Sequence, residues 1–197
     1  MKFKRTFLLI VGLSILGAAT VMADSKMQQY NGKEVTIKIN GEQLSEPGLS
    51  IEGKTMLPLR DVSEKFHAMV EYDEATDTVS IYKPNVQVSL FTLKDGQLGT
   101  FGKVTKNTEN EFFIFTQIDT LVTDIDSMKF EIVDPFGTIE YDHIESNMTD
   151  QTENMWLYTP NIEFTAKISG EYTVNIYMQL TGSDEYSLVG QKVFTAE

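Results

Sequence analysis

"TMLPLRDVSEKFHAMVEYD", residues 55–73, changes its periodicity twice. Leu59, Val62 and Phe66 fall at helical spacing, and Pro58 sits where a helix can begin. From Met69 the pattern alternates. "MVEYD" and "TVSIY" flank "EATD", which predicts a hairpin. The same run gathers Arg60, Asp61, Glu64 and His67, so an active site has to be weighed against a strand-to-helix junction. Catalysis would need those four side chains to converge on one substrate, and a short helix on a small meander makes a poor pocket. The spacing offers a simpler account. Arg60 and Glu64 are four apart, as are Asp61 and Lys65, and such pairs share a helix face. Arg60 is expected to bond backbone carbonyls or an acid of its own domain.

Upstream, residues 31–57 read as short strands and tight turns. In "NGKEVTIKINGEQL" Val35, Ile37 and Ile39 alternate with Thr36 and Lys38, bounded by Asn31-Gly32 and Asn40-Gly41. Alternation is the strand signature, and Asn-Gly supplies the positive φ angles of a hairpin turn. "LSIEGKTML" repeats the device at Gly53.

The ordered series of Asn40-Gly41, Leu57-Pro58-Leu59-Arg60, Ala68, Asp73 and Val79-Ser80-Ile81 resembles the copper amine oxidase N-terminal-like domain, a stalk module of exported bacterial proteins. The resemblance covers about residues 30–83. His67 stands where that family usually has Gly, and Tyr72 where it has Trp; both departures concern the end of the helix and not chemistry. The resemblance implies a small α+β meander. The copper and quinone chemistry behind the family's name belongs to a different, larger domain. His67 and His143 are the only histidines, too few for a copper site of several imidazoles.

Beyond "YKPNV" the pattern is mainly β. Phe112, Ile114 and Ile118 share one parity in "EFFIFTQI", and Met128, Phe130 and Ile132 alternate with Lys129 and Glu131. "DPFG", residues 134–137, is a turn with Pro at its second position. "TIEYDHI", "MWLYT", "IEFTA", "YTVNIYM" and "SLVGQKVF" follow, and "TGSDEYS" is a hairpin tip by composition. Seven or more short strands between turns predict an all-β sandwich. "ISGEYTVNIYM", residues 168–178, resembles the tyrosine corner of immunoglobulin-like sandwiches, with Val174 in the place of a disulfide cysteine. Trp156 is the candidate core tryptophan. Phe112, Phe113, Phe115, Trp156 and Tyr158 are expected in the core, not on a sugar platform. The fold class is therefore mainly β: a small antiparallel β-meander with one short helix, followed by an immunoglobulin-like β-sandwich. The divisions are 1–23, 24–84 and 85–197.

The first of these reads as a signal peptide expected to be cleaved, with an uncleaved membrane anchor as the alternative. Lys2, Lys4 and Arg5 precede an apolar run from Phe7 to Met22, and Val21 and Ala23 place small residues for cleavage after Ala23. No later segment is long and apolar enough to span a bilayer. There is no cysteine, which removes disulfides, thiolate catalysis and cysteine-ligated metal. The chain carries a net charge of −13, and from Asn85 onward six Lys face 18 acids. Such a field disfavours nucleic acid and anionic membrane surfaces.

Nothing matches the nucleophile elbow, zinc-protease or phosphate-loop motifs. Pairs such as Asp73 with Glu74, or Asp142 with Glu145, have no distinguishing context. No catalytic, cofactor-binding or metal residue and no cofactor is assigned. Asp119, Asp124 and Asp126 leave calcium open, though their spacing is not that of an EF-hand. The expected function is that of an exported, non-enzymatic binding or accessory protein at the cell surface or in the medium. The expected partner is another extracellular or cell-surface protein or a wall component; oligomeric state is left open. Two alternatives stand beside it: a secreted enzyme inhibitor or regulator using the polar connection His143–Trp156, and a small carbohydrate- or wall-active hydrolase.

Overall fold

The computed structural model describes residues 31–148 and 154–197. The signal-peptide reading of residues 1–23 lies outside them. The described residues are mainly β, with one short helix. The N-terminal module is built from β1 (Lys33–Val35), β2 (Lys38–Ile39), β3 (Glu42–Gln43), β4 (Gly48–Ile51), β5 (Lys54–Met56), α1 (Leu59–Lys65), β6 (Met69–Asp73) and β7 (Thr78–Tyr82). β1, β4 and β5 form one antiparallel sheet, β2 pairs with β3, and β6 pairs with β7. The Asn-Gly reading holds at the β2–β3 turn, where Asn40 and Gly41 take φ of 52° and 91°; Glu52 and Gly53 do the same between β4 and β5, at 49° and 77°. Positive φ at both central residues suits the right-handed twist of a hairpin.

α1 begins where the sequence places it. The Pro58 carbonyl accepts the first helical bond, from the Val62 N–H at 3.0 Å. The helix ends on His67, at φ 54°. The His67 N–H donates to the Glu64 carbonyl at 3.0 Å and the Ala68 N–H to the Ser63 carbonyl at 2.9 Å. These are the two crossed bonds of a Schellman motif, whose left-handed residue is usually Gly. The departure at His67 therefore changes the residue and keeps the geometry.

Only Lys83 and Pro84 separate β7 from the sandwich. One sheet runs β10 (Lys103–Val104), β17 (Tyr186–Ala196), β16 (Gly170–Leu180), β12 (Ile125–Val133) and β13 (Ile139–Ser146). The other runs β14 (Met155–Tyr158), β11 (Glu109–Asp119), β8 (Asn85–Lys94) and β9 (Gln97–Thr100), with β15 (Ile162–Thr165) also paired to β11. β10 joins β17 in parallel, and the other pairings are antiparallel. The runs quoted from the sequence omit β8, β9 and β10, although Val86, Val88 and Leu90 alternate with Gln87 and Ser89.

The core lies between these sheets. Leu90, Phe112, Ile114 and Ile118 face Phe130, Ile132, Val174, Ile176 and Phe194, all buried. The tyrosine corner is present: Tyr172 Oη lies 3.2 Å from both the backbone N and O of Ile168. Its ring stacks on Phe194 at 5.4 Å. Gly190 marks a close approach, since a Cβ there would lie 2.8 Å from Val86 Cγ1. The outer face of the first sheet carries a joined polar row. Lys129 Nζ lies 2.7 Å from Glu131 Oε1 and 4.4 Å from the Tyr177 ring centre. Burial, then the Glu131 charge, pushes the Tyr177 hydroxyl above its ordinary pKa.

Candidate functional site

The charged residues of the 55–73 run do not form one site. Arg60 Nη1 bonds Glu185 Oε2 at 2.9 Å, Asp61 accepts from Ser45 Oγ at 2.9 Å, and Lys65 bonds Glu42 at 3.0 Å. This corrects two expectations. The i,i+4 pairs along α1 give way to bonds between elements, and Arg60 reaches an acid of the sandwich instead of its own module. The Glu42 contact also raises the Lys65 pKa. Glu64 lines a depression of about 310 Å³ with Arg60, Ser63, Tyr177, Tyr186 and Leu188. His67 opens elsewhere, beside Lys83, Pro84 and Gln191. The strand-to-helix reading of the run explains these positions; convergence on a substrate does not.

Asp119, Asp124 and Asp126 each have partners within the protein. Asp119 accepts from Gln117 Nε2 at 3.1 Å, the Asp124 carbonyl takes the Thr181 N–H at 3.2 Å, and Asp126 Oδ2 takes the Gly182 N–H at 3.2 Å. Among the described residues no group of three His, Cys, Asp or Glu side chains could hold a metal ion. Asp73 acts as a turn residue. Its carboxylate bonds the Thr76 hydroxyl and the Ala75 N–H, which hold its pKa low. The connection His143–Trp156 is corrected at both ends: His143–Ser146 belong to β13 and Met155–Trp156 to β14, while 149–153 lie outside the described residues.

The aromatic expectation changes most. Phe112 is fully buried, but Trp156 is 71% exposed and Tyr158 74% exposed. Trp156 is therefore not the core tryptophan. The register explains the exposure. Phe113 lies opposite Phe91, Phe115 opposite Tyr158, and Gln117 opposite Trp156. Residues opposite one another in an antiparallel pair share a face, and this is the face away from Phe112 and Ile114. Leu93 and Leu98 extend it, opposite each other and 64% and 63% exposed. The rings support one another. Phe91 stacks on Phe113 at 5.8 Å, and Phe113 meets Tyr158 edge-on at 6.3 Å. Gln87, Ser89 and Gln117 interleave with them. The result is an apolar sheet face with polar spacers, open to solvent and suited to docking. The signal was present in sequence: "FFIF" and "MWLY" carry apolar residues on both parities, so one parity had to face outward.

No curated protein matches the chain. Among solved structures, similar ones include a CARDB domain of Pyrococcus furiosus, at 13% identity and TM-score 0.34, covering 58% of this chain and 94% of that one. An immunoglobulin-like protein of Pseudomonas aeruginosa is similar at 13% identity and TM-score 0.31, covering 66% and 98%. OgpA of Akkermansia muciniphila is similar at 11% identity and TM-score 0.34, covering 71% and 34%. Scores this low transfer no function. In the N-terminal part, residues 17–81 and 38–97 match the family model of the copper amine oxidase N-terminal domain, and with the Asn40-Gly41 turn, the Pro58-started helix and the β6–β7 hairpin in place, that part of the chain is similar to this stalk module and not to a catalytic domain.

Proposed function

We propose that this chain is an exported, non-enzymatic binding or accessory protein of the cell surface or the medium. It lays the outer face of the β14-β11-β8-β9 sheet against another extracellular protein or a wall component. One observation carries the reading: Trp156 and Tyr158 stand exposed on an edge strand, beside Phe113, Phe115 and Phe91 on the same face. Large rings held on a rigid sheet bury much area at little entropic cost, which is why Trp and Tyr dominate binding hot spots. The acidic charge adds to it, by keeping the protein soluble despite such a face. The leader-like start of the chain motivates export.

The test immobilises the chain and exposes it to culture medium and wall fraction of the producing organism. Changing Trp156 and Tyr158 to Ala together is expected to abolish retention of the bound component while leaving the thermal midpoint within a few degrees, because both side chains lie on the surface. Undiminished retention by the double variant overturns the reading.

A further inference from the structure

One end of the aromatic face has a chemical direction. β14 and β15 are two pieces of one edge, both paired to β11, with Thr159-Pro160-Asn161 as the step between them. Thr159 carries the ladder across that step. Its N–H donates to the Ile114 carbonyl at 3.0 Å, and its Oγ1 accepts the Ile114 N–H at 3.1 Å. At the step a groove of about 560 Å³ opens, with Leu93, Phe113 and Tyr158 as apolar walls and Glu111 and Asn161 at one end. No Lys or Arg lines it. Glu111 stands directly opposite Glu163, and like charges in register repel. Among the described residues neither carboxylate joins an ion pair. Asn161 Nδ2 reaches Glu111 at only 3.5 Å.

We propose that this groove receives a lysine or arginine side chain from a basic segment of a partner protein, with Glu111 as its counter-ion; this rests on the reading of the aromatic face as the docking surface. A basic side chain is apolar along its stem and charged at its tip, as the groove is apolar along its walls and anionic at its end. Alternate residues of a strand lie about 7 Å apart, so a stem lying over Phe113 sets its cation beside Glu111. The rings add attraction for the cation. Charge selects among occupants. The chain's net charge of −13 repels anionic polymers and a second copy of itself. A neutral ligand would leave the repulsion between Glu111 and Glu163 in place, whereas a cation relieves it.

Trp156, the single tryptophan, lies two residues from Tyr158 on the same face and reports occupancy by fluorescence. The whole chain is titrated with a capped lysine- and arginine-containing hexapeptide, with the same peptide carrying norleucine and citrulline instead, and with a glucosamine oligomer. The basic peptide is expected to give a saturable change. Glu111→Gln should weaken it about five-fold or more, and added salt should weaken it further. An equal response to the neutral peptide, a response to the glucosamine oligomer alone, an unchanged Glu111→Gln, or no saturable response up to about 1 mM overturns the proposal. The partner capture described above separates the two readings. If Glu111→Gln keeps the capture that the double variant Trp156→Ala with Tyr158→Ala loses, the cation site fails and the aromatic docking face stands. If the double variant also keeps it, the docking face fails too.

Discussion

At the scale of the residue, His67 shows a backbone demand and a side-chain contact meeting in one position. Its φ of 54° closes the helix end, a conformation that costs an ordinary L-residue about 1 kcal/mol or more. The ring lies beside Gln191 of β17, and burial, partly offset by Gln191, lowers its pKa. The sign follows. A folded pKa below the unfolded value means that the unfolded chain takes the proton more readily. The contribution to stability is therefore complete above about pH 6.5 and is lost as pH falls through the folded value. Thermal melts between about pH 5.5 and 7.5 should fall more steeply with acid for the native chain than for His67→Asn. Asn tolerates the left-handed backbone and does not titrate; equal slopes would refute the ring's role. The sequence carried half of this. The stalk resemblance marked position 67 as one for Gly, which gives the backbone. The ring's contact with Gln191 depends on how two modules meet, and no local pattern encodes that.

At the scale of the element, the broken edge strand shapes the binding face. Thr159 is buried and supplies, through its hydroxyl, the acceptor that a continuous strand would supply through its backbone. Thr159→Val keeps the volume and strands the Ile114 N–H, so it should cost about 1–3 kcal/mol. Thr159→Ser should recover most of that, as read from urea unfolding midpoints. The strands themselves were largely legible. β11, β12, β13, β14, β15, β16 and β17 all overlap runs picked out by alternation. What alternation left undecided was direction. In β11, Phe112 and Ile114 oppose Phe113 and Phe115; in β14, Met155 and Leu157 oppose Trp156 and Tyr158. Both parities are apolar, so burial depends on which side the second sheet lies. β14 is an edge strand, and edge position arises from the pairing of distant segments.

At the scale of the whole molecule, apolar contact outweighs charge in joining the two parts. The Arg60–Glu185 bridge is 70% and 77% exposed at its two side chains, and such pairs contribute about 0–1 kcal/mol. Met69 of β6 is fully buried, in one cluster with the sandwich core. Met69→Ala should lower the stability of the chain by about 2–5 kcal/mol and Arg60→Ala by less than about 1 kcal/mol; denaturant titrations of the two variants check the order, which a larger Arg60 effect would reverse. No local pattern in the sequence encodes this docking. β17 carries a further consequence, for the order of folding. It lies between β10 and β16 within its sheet, buries Val189 and Phe194, and is the strand that α1 and β6 pack against. Synthesis supplies it after every element it holds together. The seat of the N-terminal module therefore forms only through contacts between segments far apart in sequence, and such non-local pairing slows folding.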